Sequence, residues 1–396
     1  MTKRKVEGQA SALVLSTIAM VVSFAVWSVI APIATDIQAI YQLSEIEKSF
    51  LVVTPVVLGS IMRVPMGIIT DRFGGRKVYT LTMLALVLPM TAAGFVHSYS
   101  LLLFLTFLIG IAGTTFAIAV TYVTRWFPPE KQGLALGITG MGNLGTAVAS
   151  FTVPSIYTHL GFSWVFWILA IAIGVMALIF WAGTKELPKP KEVKTLKKSL
   201  SVIKHKQTRV LSLFYFLTFG GFIAFSLYLP AILQESYQFS SVHAGLIVAG
   251  FVVTATCIRP LGGYLGDKFK PHRVLKWLFT GIVICACCMT FTSEAFALFG
   301  ISCALMAALL GAGNGAVFKL VPEVSPNNTG AVTGIVSAVG GIGGFFPPVA
   351  LGVIKGVTGG YGLGFLLLAI FTAGCLIVMR SLYSRNKIKK PNVQYQ

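Results

Sequence analysis

Charged residues are scarce in this 396-residue sequence, in which Asp, Glu, Lys and Arg together make up only 11% of the chain. An average soluble domain contains about 25% charged residues, so a single water-soluble globule is excluded. Hydrophobic residues make up 56% of the chain, and the mean hydropathy is +0.83. A globule of this size could not bury so many apolar side chains, and lipid is therefore the solvent for most of the surface.

The sequence also lacks the usual signatures of catalysis. It has no Walker-type phosphate-binding loop, which excludes ATP as a direct source of energy. All six cysteines fall inside apolar runs, and the five histidines fall in loops or at the ends of apolar runs. Cys285, Cys287 and Cys288 suggest a soft-metal site, but thiols are common fillers of apolar helices. We therefore predict no enzymatic activity, no metal and no cofactor.

The sequence is dominated by apolar runs, each close to the length of about 20 residues that a helical membrane crossing requires. The twelve runs, which we number span 1 to span 12, are 11–34, 50–70, 78–96, 101–124, 133–157, 163–183, 210–234, 243–265, 274–292, 296–320, 330–354 and 361–382. They predict an all-α membrane protein with twelve transmembrane helices. Span 1 is longer than the core of a signal peptide, so we expect it to be retained.

Basic residues are concentrated in alternate loops and in both termini. Of the 31 Lys and Arg residues, 26 lie before span 1, at 72–77, 125–131, 184–209 and 268–276, or after Met379. Such residues near short loops resist translocation, so we expect a multi-pass protein of the cytoplasmic (inner) membrane with both termini in the cytoplasm. The charge is spread over short loops instead of one patch, which argues against nucleic-acid binding.

The two halves of the chain repeat each other. Pairs displaced by 196 residues are Arg63/Arg259, Gly67/Gly263, Asp71/Asp267, Phe73/Phe269 and Val78/Val274. We predict six-helix bundles at 1–183 and 210–396, joined by a cytoplasmic linker at 184–209 that holds nine Lys and Arg residues. Two pseudo-symmetric bundles are the expected plan of a secondary transporter.

Arg63 and Arg259 lie inside apolar runs, about 12 Å inward from the cytoplasmic ends of their spans at 1.5 Å per residue. An arginine at that depth costs at least about 2.5 kcal/mol and normally faces an interior pathway. A buried ion pair is the alternative interpretation, but all twelve acidic residues lie at or near the ends of spans. Because a guanidinium group is always charged and offers a planar fork of donors, the pair predicts an anion carrier.

Spans 5 and 11 are rich in glycine. Their glycines are Gly137, Gly140, Gly142 and Gly145 in span 5, and Gly334, Gly340, Gly341, Gly343 and Gly344 in span 11. Small residues let membrane helices approach closely, and close packing alone could explain them. Asn143 favours a second interpretation, in which the glycines also form a thin wall beside the substrate, because its amide could donate to an oxyanion.

Several of these motifs together resemble a known family. Arg63-x-Pro65-x-Gly67 followed by 71–77 (DRFGGRK) resembles the loop signature of the major facilitator superfamily. The stretches 137–146 (GITGMGNLGT) and 334–348 (GIVSAVGGIGGFFPP) resemble the paired nitrate signatures of its nitrate/nitrite porter family. The resemblance covers essentially all twelve spans, and it implies a major facilitator fold.

The resemblance also implies a substrate and its binding residues. Arg63 and Arg259 would bind nitrate or nitrite between the two bundles, and aromatic rings above and below the planar anion would complete the pocket. The matching positions are Phe116, Tyr215 and Phe219, with Asn143 beside them. The expected partners are these small anions and the lipid bilayer, and the expected oligomeric state is a monomer.

The residues at the cytoplasmic ends of the spans suggest a gate. Asp71 could pair with Arg125 when the cytoplasmic side is closed, with Arg72 beside them, although solvated interfacial charges are an equal alternative. No Asp, Glu or His lies at midplane depth, where a proton symporter usually needs one. We therefore predict nitrate/nitrite exchange, with nitrate uptake and nitrite extrusion. Proton-coupled nitrate symport, transport of another organic or phosphorylated anion, and a transport-inactive membrane sensor are the alternatives.

Overall fold

The computed structural model describes residues 3–127, 129–186, 202–269, 271–291, 295–324 and 329–383, and within these residues it contains helices and no strand. Every predicted span corresponds to one helix or to a chain of consecutive helices. Most of the predicted linker, at 187–201, lies outside the described residues.

Six spans are single helices. These are span 3 (Gly75–Ala93), span 6 (Phe162–Gly183), span 8 (Ser241–Phe269), span 9 (Pro271–Phe291), span 10 (Phe296–Val324) and span 12 (Gly362–Tyr383). Spans 3 and 6 pack against each other, as do spans 9 and 12. Their outer faces carry exposed apolar side chains such as Leu88, Leu178, Ile284 and Ile377, as expected of surfaces that meet lipid.

The other six spans are interrupted. Two spans consist of two α-helices each: span 2 (Glu45–Ile61 and Arg63–Phe73) and span 11 (Thr329–Ile342 and Phe346–Thr358). Three spans contain a 3-10 turn between two α-helices: span 1 (Lys3–Trp27, turn Ala31–Ile33, Ala34–Tyr41), span 4 (Tyr99–Ile109, turn Gly110–Thr114, Thr115–Trp126) and span 5 (Pro129–Gly140, turn Met141–Asn143, Leu144–Leu160). Span 7 contains a π-helical turn, Phe216–Gly220, between Lys206–Tyr215 and Gly221–Tyr237. The breaks coincide with glycine or proline in most of these spans, because neither residue favours a continuous helix.

Among the described residues, eight helices are long and apolar enough to cross a membrane, and the bent pair in span 2 makes nine. Spans 3, 5 and 11 do not meet this criterion. Span 3 is short and begins with polar residues, and spans 5 and 11 are each broken at glycine into two shorter helices. The two halves meet through matched pairs of spans, with span 2 against span 11, span 5 against span 8, and span 1 against span 7. We call the end of the bundle near residues 72–77 and 268–276 the basic end.

Close helix crossings fix the arginine-bearing spans within each half. A Cβ atom on Gly59 would lie 2.6 Å from the carbonyl oxygen of Gly110, and one on Gly110 would press on the backbone of Pro55. In the second half, a Cβ atom on Gly315 would overlap the carbonyl oxygen of Arg259. Glycine is required at these crossings because the neighbouring backbone occupies the place of a side chain.

Candidate functional site

Arg63 lies at the bend of span 2, where the two helices of the span differ in direction by 41°. Its side chain is 1% exposed. Nε donates to the carbonyl oxygen of Gly113 at 3.3 Å, and Nη1 donates to that of Ser337 at 2.8 Å. Nη2 is buried and has no hydrogen-bond partner in the part of the chain that the structure describes. The guanidinium group is thus held between span 4 of its own half and span 11 of the other half, with one nitrogen unused.

Arg259 lies in the unbroken helix of span 8 and is partly buried. Nη2 donates to the hydroxyl of Tyr215 at 3.4 Å, whereas the buried Nη1 has no partner. The guanidinium carbon lies 5.6 Å from the ring centre of Phe318. Within the described side chains, neither Arg259 nor Arg63 forms an ion pair with a carboxylate. Both positions therefore carry a positive charge without a carboxylate counterion among the described side chains.

The predicted aromatic residues connect the two arginines. The rings of Tyr215 and Phe219 are stacked, with centres 4.9 Å apart and planes inclined by 5°. Phe116 lies 6.5 Å from Phe219, and the guanidinium carbon of Arg63 is 5.3 Å and 5.4 Å from their respective ring centres. All three rings are buried. The π-helical turn Phe216–Gly220 lies within this stack, as such turns often do at functional positions.

The glycine-rich spans lie where each arginine faces the opposite half. A Cβ atom on Gly140 of span 5 would lie 3.6 Å from Nη1 of Arg259, and one on Gly341 of span 11 would lie 3.1 Å from Nη1 of Arg63. A Cβ atom on Gly340 would overlap the ring of Tyr215. These three glycines therefore combine close packing with a thin wall beside the arginines.

The remaining predicted glycines fall into two groups. Four of them serve packing, because a side chain at each would overlap or press on a neighbour: Gly142 (Met20), Gly145 (the carbonyl oxygen of Val21), Gly343 (Phe216) and Gly344 (Ile223). Gly137 and Gly334 differ, since no described atom lies within 4 Å of a Cβ atom placed on either residue. Close packing against another helix is therefore not found at Gly137 or Gly334 among the described residues. Each lies on the basic-end side of the glycine in its span that faces an arginine.

Asn143 lies in the short 3-10 turn of span 5, is 2% exposed, and has a buried Oδ1 atom without a hydrogen-bond partner. Among the described residues, other buried oxygen and nitrogen atoms share this property in spans 2 and 8, which carry the arginines, and in spans 7 and 10, which contact Arg259: Ser60 Oγ, Arg63 Nη2, Thr218 Oγ1, Thr256 Oγ1, Arg259 Nη1 and Asn314 Oδ1. Buried polar groups normally have partners, so these spans hold several donors and acceptors that are still free to bind a polar group. Ser60, Thr218 and Thr256 were not predicted, because single hydroxyl residues in an apolar helix carry no pattern.

The proposed gate at the basic end is only partly described. Arg72 is exposed and its guanidinium carbon lies 5.4 Å from the ring centre of Phe73, while Arg125 is partly buried at the end of span 4. The side chain of Asp71 lies outside the described side chains. The pairing of Asp71 with Arg125 therefore stays a prediction.

A group of charges that the sequence analysis missed joins the two halves at the opposite end. Lys48 of span 2 is fully buried and pairs with Glu45 at 2.9 Å and with Glu235 of span 7. Glu235 also pairs with Lys355 of span 11 and accepts a hydrogen bond of 2.5 Å from the hydroxyl of Tyr361. We call these five residues the charge network. They connect spans 2, 7 and 11 across the boundary between the halves.

Further polar contacts lie beside the charge network. Ser241 donates to a carboxylate oxygen of Asp36 at 2.7 Å and to Gln234 at 2.9 Å, and Thr35 donates to Gln234. Spans 1, 7 and 8 are thereby joined. Lys48 and Lys355 were not used in the predictions from the sequence, and they lie outside the loops and termini where basic residues are concentrated.

Comparisons with known proteins agree with this architecture. The family model of the Major Facilitator Superfamily matches residues 16–348 and 211–394. The nitrite extrusion protein of Bacillus subtilis is 36% identical over 377 residues, which cover 95% of each chain. The probable nitrate transporter NarT of Staphylococcus haemolyticus is 38% identical over 378 residues, which cover 95% of this chain and 98% of that protein.

The fold also matches a solved structure. A bacterial homologue of the human lysosomal transporter Spinster, in an inward-facing and unoccupied conformation, aligns with a TM-score of 0.72 and 20% identity over 97% of both chains. The fold and the paired arginines thus define a multi-pass integral membrane protein built from two related six-helix bundles. The chain belongs to the major facilitator superfamily and, within it, to the nitrate/nitrite porter family.

Proposed function

We propose that this protein transports nitrate and nitrite across the cytoplasmic membrane and is not an enzyme. The observation that carries the proposal is the pair of guanidinium groups, one from each half, which have unused donors and no carboxylate partner among the described residues. The names of the relatives from Bacillus and Staphylococcus support these two anions as substrates.

The shape of the site favours a small planar anion. Each guanidinium group can offer two parallel donors to an oxyanion, and the rings of Phe116 and Phe219 restrict the space beside Arg63. Gly140 and Gly341 bring the opposite walls close to the arginines. A bulky organic or phosphorylated anion would need a wider site. Because both arginines belong to one chain, a monomer holds the whole site.

We infer that transport proceeds by alternating access, with spans 2 and 11 and spans 5 and 8 moving against each other. The charge network joins the halves at one end, whereas on the other side of the arginines no described atom lies within 4 Å of a Cβ atom placed on Gly137 or Gly334. The distribution of basic residues supports an outward-facing charge network and cytoplasmic termini. This arrangement corresponds to a carrier that is closed toward the outside.

Exchange of nitrate for nitrite fits the site best. Burying two guanidinium groups without a counterion is costly, so the empty carrier should reorient slowly, whereas a bound anion lowers the cost. The charge network supports a second candidate, proton-coupled symport, because Glu45 and Glu235 are titratable groups at the boundary between the halves.

Uptake into liposomes that contain the purified protein tests these proposals. We expect rapid nitrate uptake into vesicles loaded with nitrite and little uptake into vesicles that contain no permeant anion. Equal uptake by empty vesicles, driven by an inward proton gradient, would support symport instead. Absence of nitrate and nitrite transport under both conditions would contradict the assignment of substrate.

A further inference from the structure

Two hydroxyl residues accompany the arginines in both halves of the chain. Ser60 and Thr256 are separated by 196 residues, the same displacement that relates Arg63 to Arg259. Each hydroxyl residue precedes its arginine by three positions. Thr256 and Arg259 lie in one continuous helix, where residues three apart share a face. Ser60 and Arg63 lie on either side of the bend in span 2, and both side chains lie against Gly341 of span 11.

These hydroxyls differ from most others in the helices of this chain. A buried serine or threonine in an apolar helix usually donates to the carbonyl oxygen four residues earlier. Thr82 donates in this way to Val78 at 2.8 Å, and Ser226 donates to Phe222 at 2.8 Å. In contrast, Ser60 is 0% exposed and Thr256 is 3% exposed, and neither hydroxyl oxygen has a hydrogen-bond partner among the described residues.

The hydroxyl of Ser60 faces the boundary between the halves. A Cβ atom placed on Gly341 of span 11 would overlap Oγ of Ser60 and lie 3.1 Å from Nη1 of Arg63. The hydroxyl and the guanidinium group therefore border the same point, at the glycines of span 11. An acceptor at this point could receive hydrogen bonds from both groups.

Thr256 lies on the corresponding face of span 8. Gly245 marks this face, because a Cβ atom on it would overlap the carbonyl oxygen of Ser150 in span 5, and Arg259 marks it beside Gly140. Thr256 follows Gly245 by eleven positions, and with 3.6 residues per turn the two positions differ by only about 20° around the helix. Thr256 is therefore directed toward span 5, as Ser60 is directed toward span 11.

We propose that Ser60 and Thr256 are substrate-positioning hydroxyls, which donate hydrogen bonds to oxygen atoms of the bound anion. Each half then presents one guanidinium group and one hydroxyl. The inference rests on the proposed function, because it takes nitrate or nitrite as the guest. Two neutral donors add hydrogen bonds for an anion with several oxygen atoms, yet they add no charge to a site that already exceeds the charge of a monovalent anion. A fixed arrangement of four donors also favours these oxyanions over chloride.

Removal of each hydroxyl with little change of shape tests the proposal. In Ser60→Ala and Thr256→Val we expect the KM for nitrate to rise about tenfold or more, as for the loss of a hydrogen bond to a charged partner. The preference for nitrate over chloride should fall. Thr256→Ser keeps the hydroxyl without adding volume and should stay within about threefold of the unaltered protein. Thr82→Val and Ser226→Ala, in which the lost hydroxyl bonds to its own helix, serve as matched controls and should also keep a normal KM.

Thermal unfolding of the purified variants separates positioning from a merely structural role. Without anion, Ser60→Ala and Thr256→Val should be as stable as the unaltered protein or more stable, because an unsatisfied buried hydroxyl has been removed. The increase in melting temperature caused by nitrate should become smaller. A lower melting temperature with an unchanged nitrate effect would assign the hydroxyls to the fold and overturn the proposal.

The same assays separate this inference from the function on which it rests. If the unaltered protein transports both anions and the hydroxyl-free variants keep a normal KM, only the positioning role is overturned. If the unaltered protein transports neither anion, the proposed function fails and the positioning role fails with it.

Discussion

The two arginines occupy matching places in a repeated sequence, but their surroundings differ. Arg63 lies at a helix break, is almost fully buried, and is held by two backbone carbonyl groups. Arg259 lies in a continuous helix, is partly buried, and contacts the hydroxyl of Tyr215. The repeat therefore keeps a positive charge at both positions, whereas the groups that hold the two side chains differ. Arg63 is the fixed member of the pair, and Arg259 is the member with greater freedom to move.

Replacement of either arginine by lysine should have the largest effect. Lysine keeps the charge but cannot form the planar fork, so we expect kcat/KM for nitrate to fall at least about 100-fold in Arg63→Lys and in Arg259→Lys. Only Arg63→Lys should also lower the free energy of unfolding, by about 1–3 kcal/mol, because the carbonyl groups of Gly113 and Ser337 lose their donors. Transport in liposomes and thermal unfolding measure the two effects. Near-normal kinetics in both variants would contradict the anion site.

A methyl group at Gly341 should act mainly on Arg63. Gly341→Ala places a carbon atom against Ser60 and Arg63, and overpacking of this kind typically costs about 1–3 kcal/mol. We expect at least a tenfold loss of transport. Gly334→Ala, about two turns away in the same span, is the matched control and should transport normally because no described atom occupies that place. Equal losses in the two variants would show that the glycines of span 11 do not act through the arginine.

Loss of a carboxylate from the charge network should loosen the span that carries Arg63. Glu235→Gln leaves the buried Lys48 with Glu45 as its remaining partner, and we expect the closed outer end to open more often. The test uses Ser49→Cys in a protein whose six native cysteines have been replaced. An impermeant reagent added from outside should label this cysteine faster when Glu235→Gln is also present. Glu47 lies on span 2, as position 49 does, but is exposed. Glu47→Gln should therefore leave the labelling rate unchanged. An unchanged rate in Glu235→Gln would contradict the role of the network as an outer closure.

Removal of the hydroxyl of Tyr215 should give the smallest effect and should act through Arg259. Tyr215→Phe retains the ring that stacks on Phe219 but removes the acceptor for Nη2 of Arg259. Loss of a hydrogen bond of this kind costs about 0.5–1.5 kcal/mol, so we expect the KM for nitrate to rise about three- to tenfold. The rise should be absent when Tyr215→Phe is combined with Arg259→Lys. Additive effects would place the hydroxyl on a separate route to the substrate.

The features that hydropathy and repetition carry could be predicted from the sequence. The all-helical twelve-span fold was predicted correctly, and the structure brings Arg63, Arg259, Phe116, Tyr215 and Phe219 into contact with one another or through shared neighbours. The residues at which helices begin were harder to predict from the sequence. Span 2 begins at Glu45 because Ser44 and Glu47 form a capping box, and these polar residues hide the first turn from a hydropathy profile.

The contacts across the boundary between the halves could not be predicted. Lys48 and Glu235 are 187 residues apart, and no local pattern connects them. The carbonyl groups that hold Arg63 belong to the backbone, which leaves no trace in the choice of side chain. The glycine pattern likewise does not distinguish Gly341, which faces an arginine, from Gly334, which faces open space.

The hydrogen bond from Arg63 to the carbonyl oxygen of Ser337 has a consequence for motion. It ties span 2 to span 11, so it must break whenever these spans separate. A negatively charged cargo offers Nη1 a stronger acceptor than a neutral carbonyl group. Binding of the anion would then break this hydrogen bond between the halves. Substrate binding and the release of the halves for a conformational change would thus be coupled.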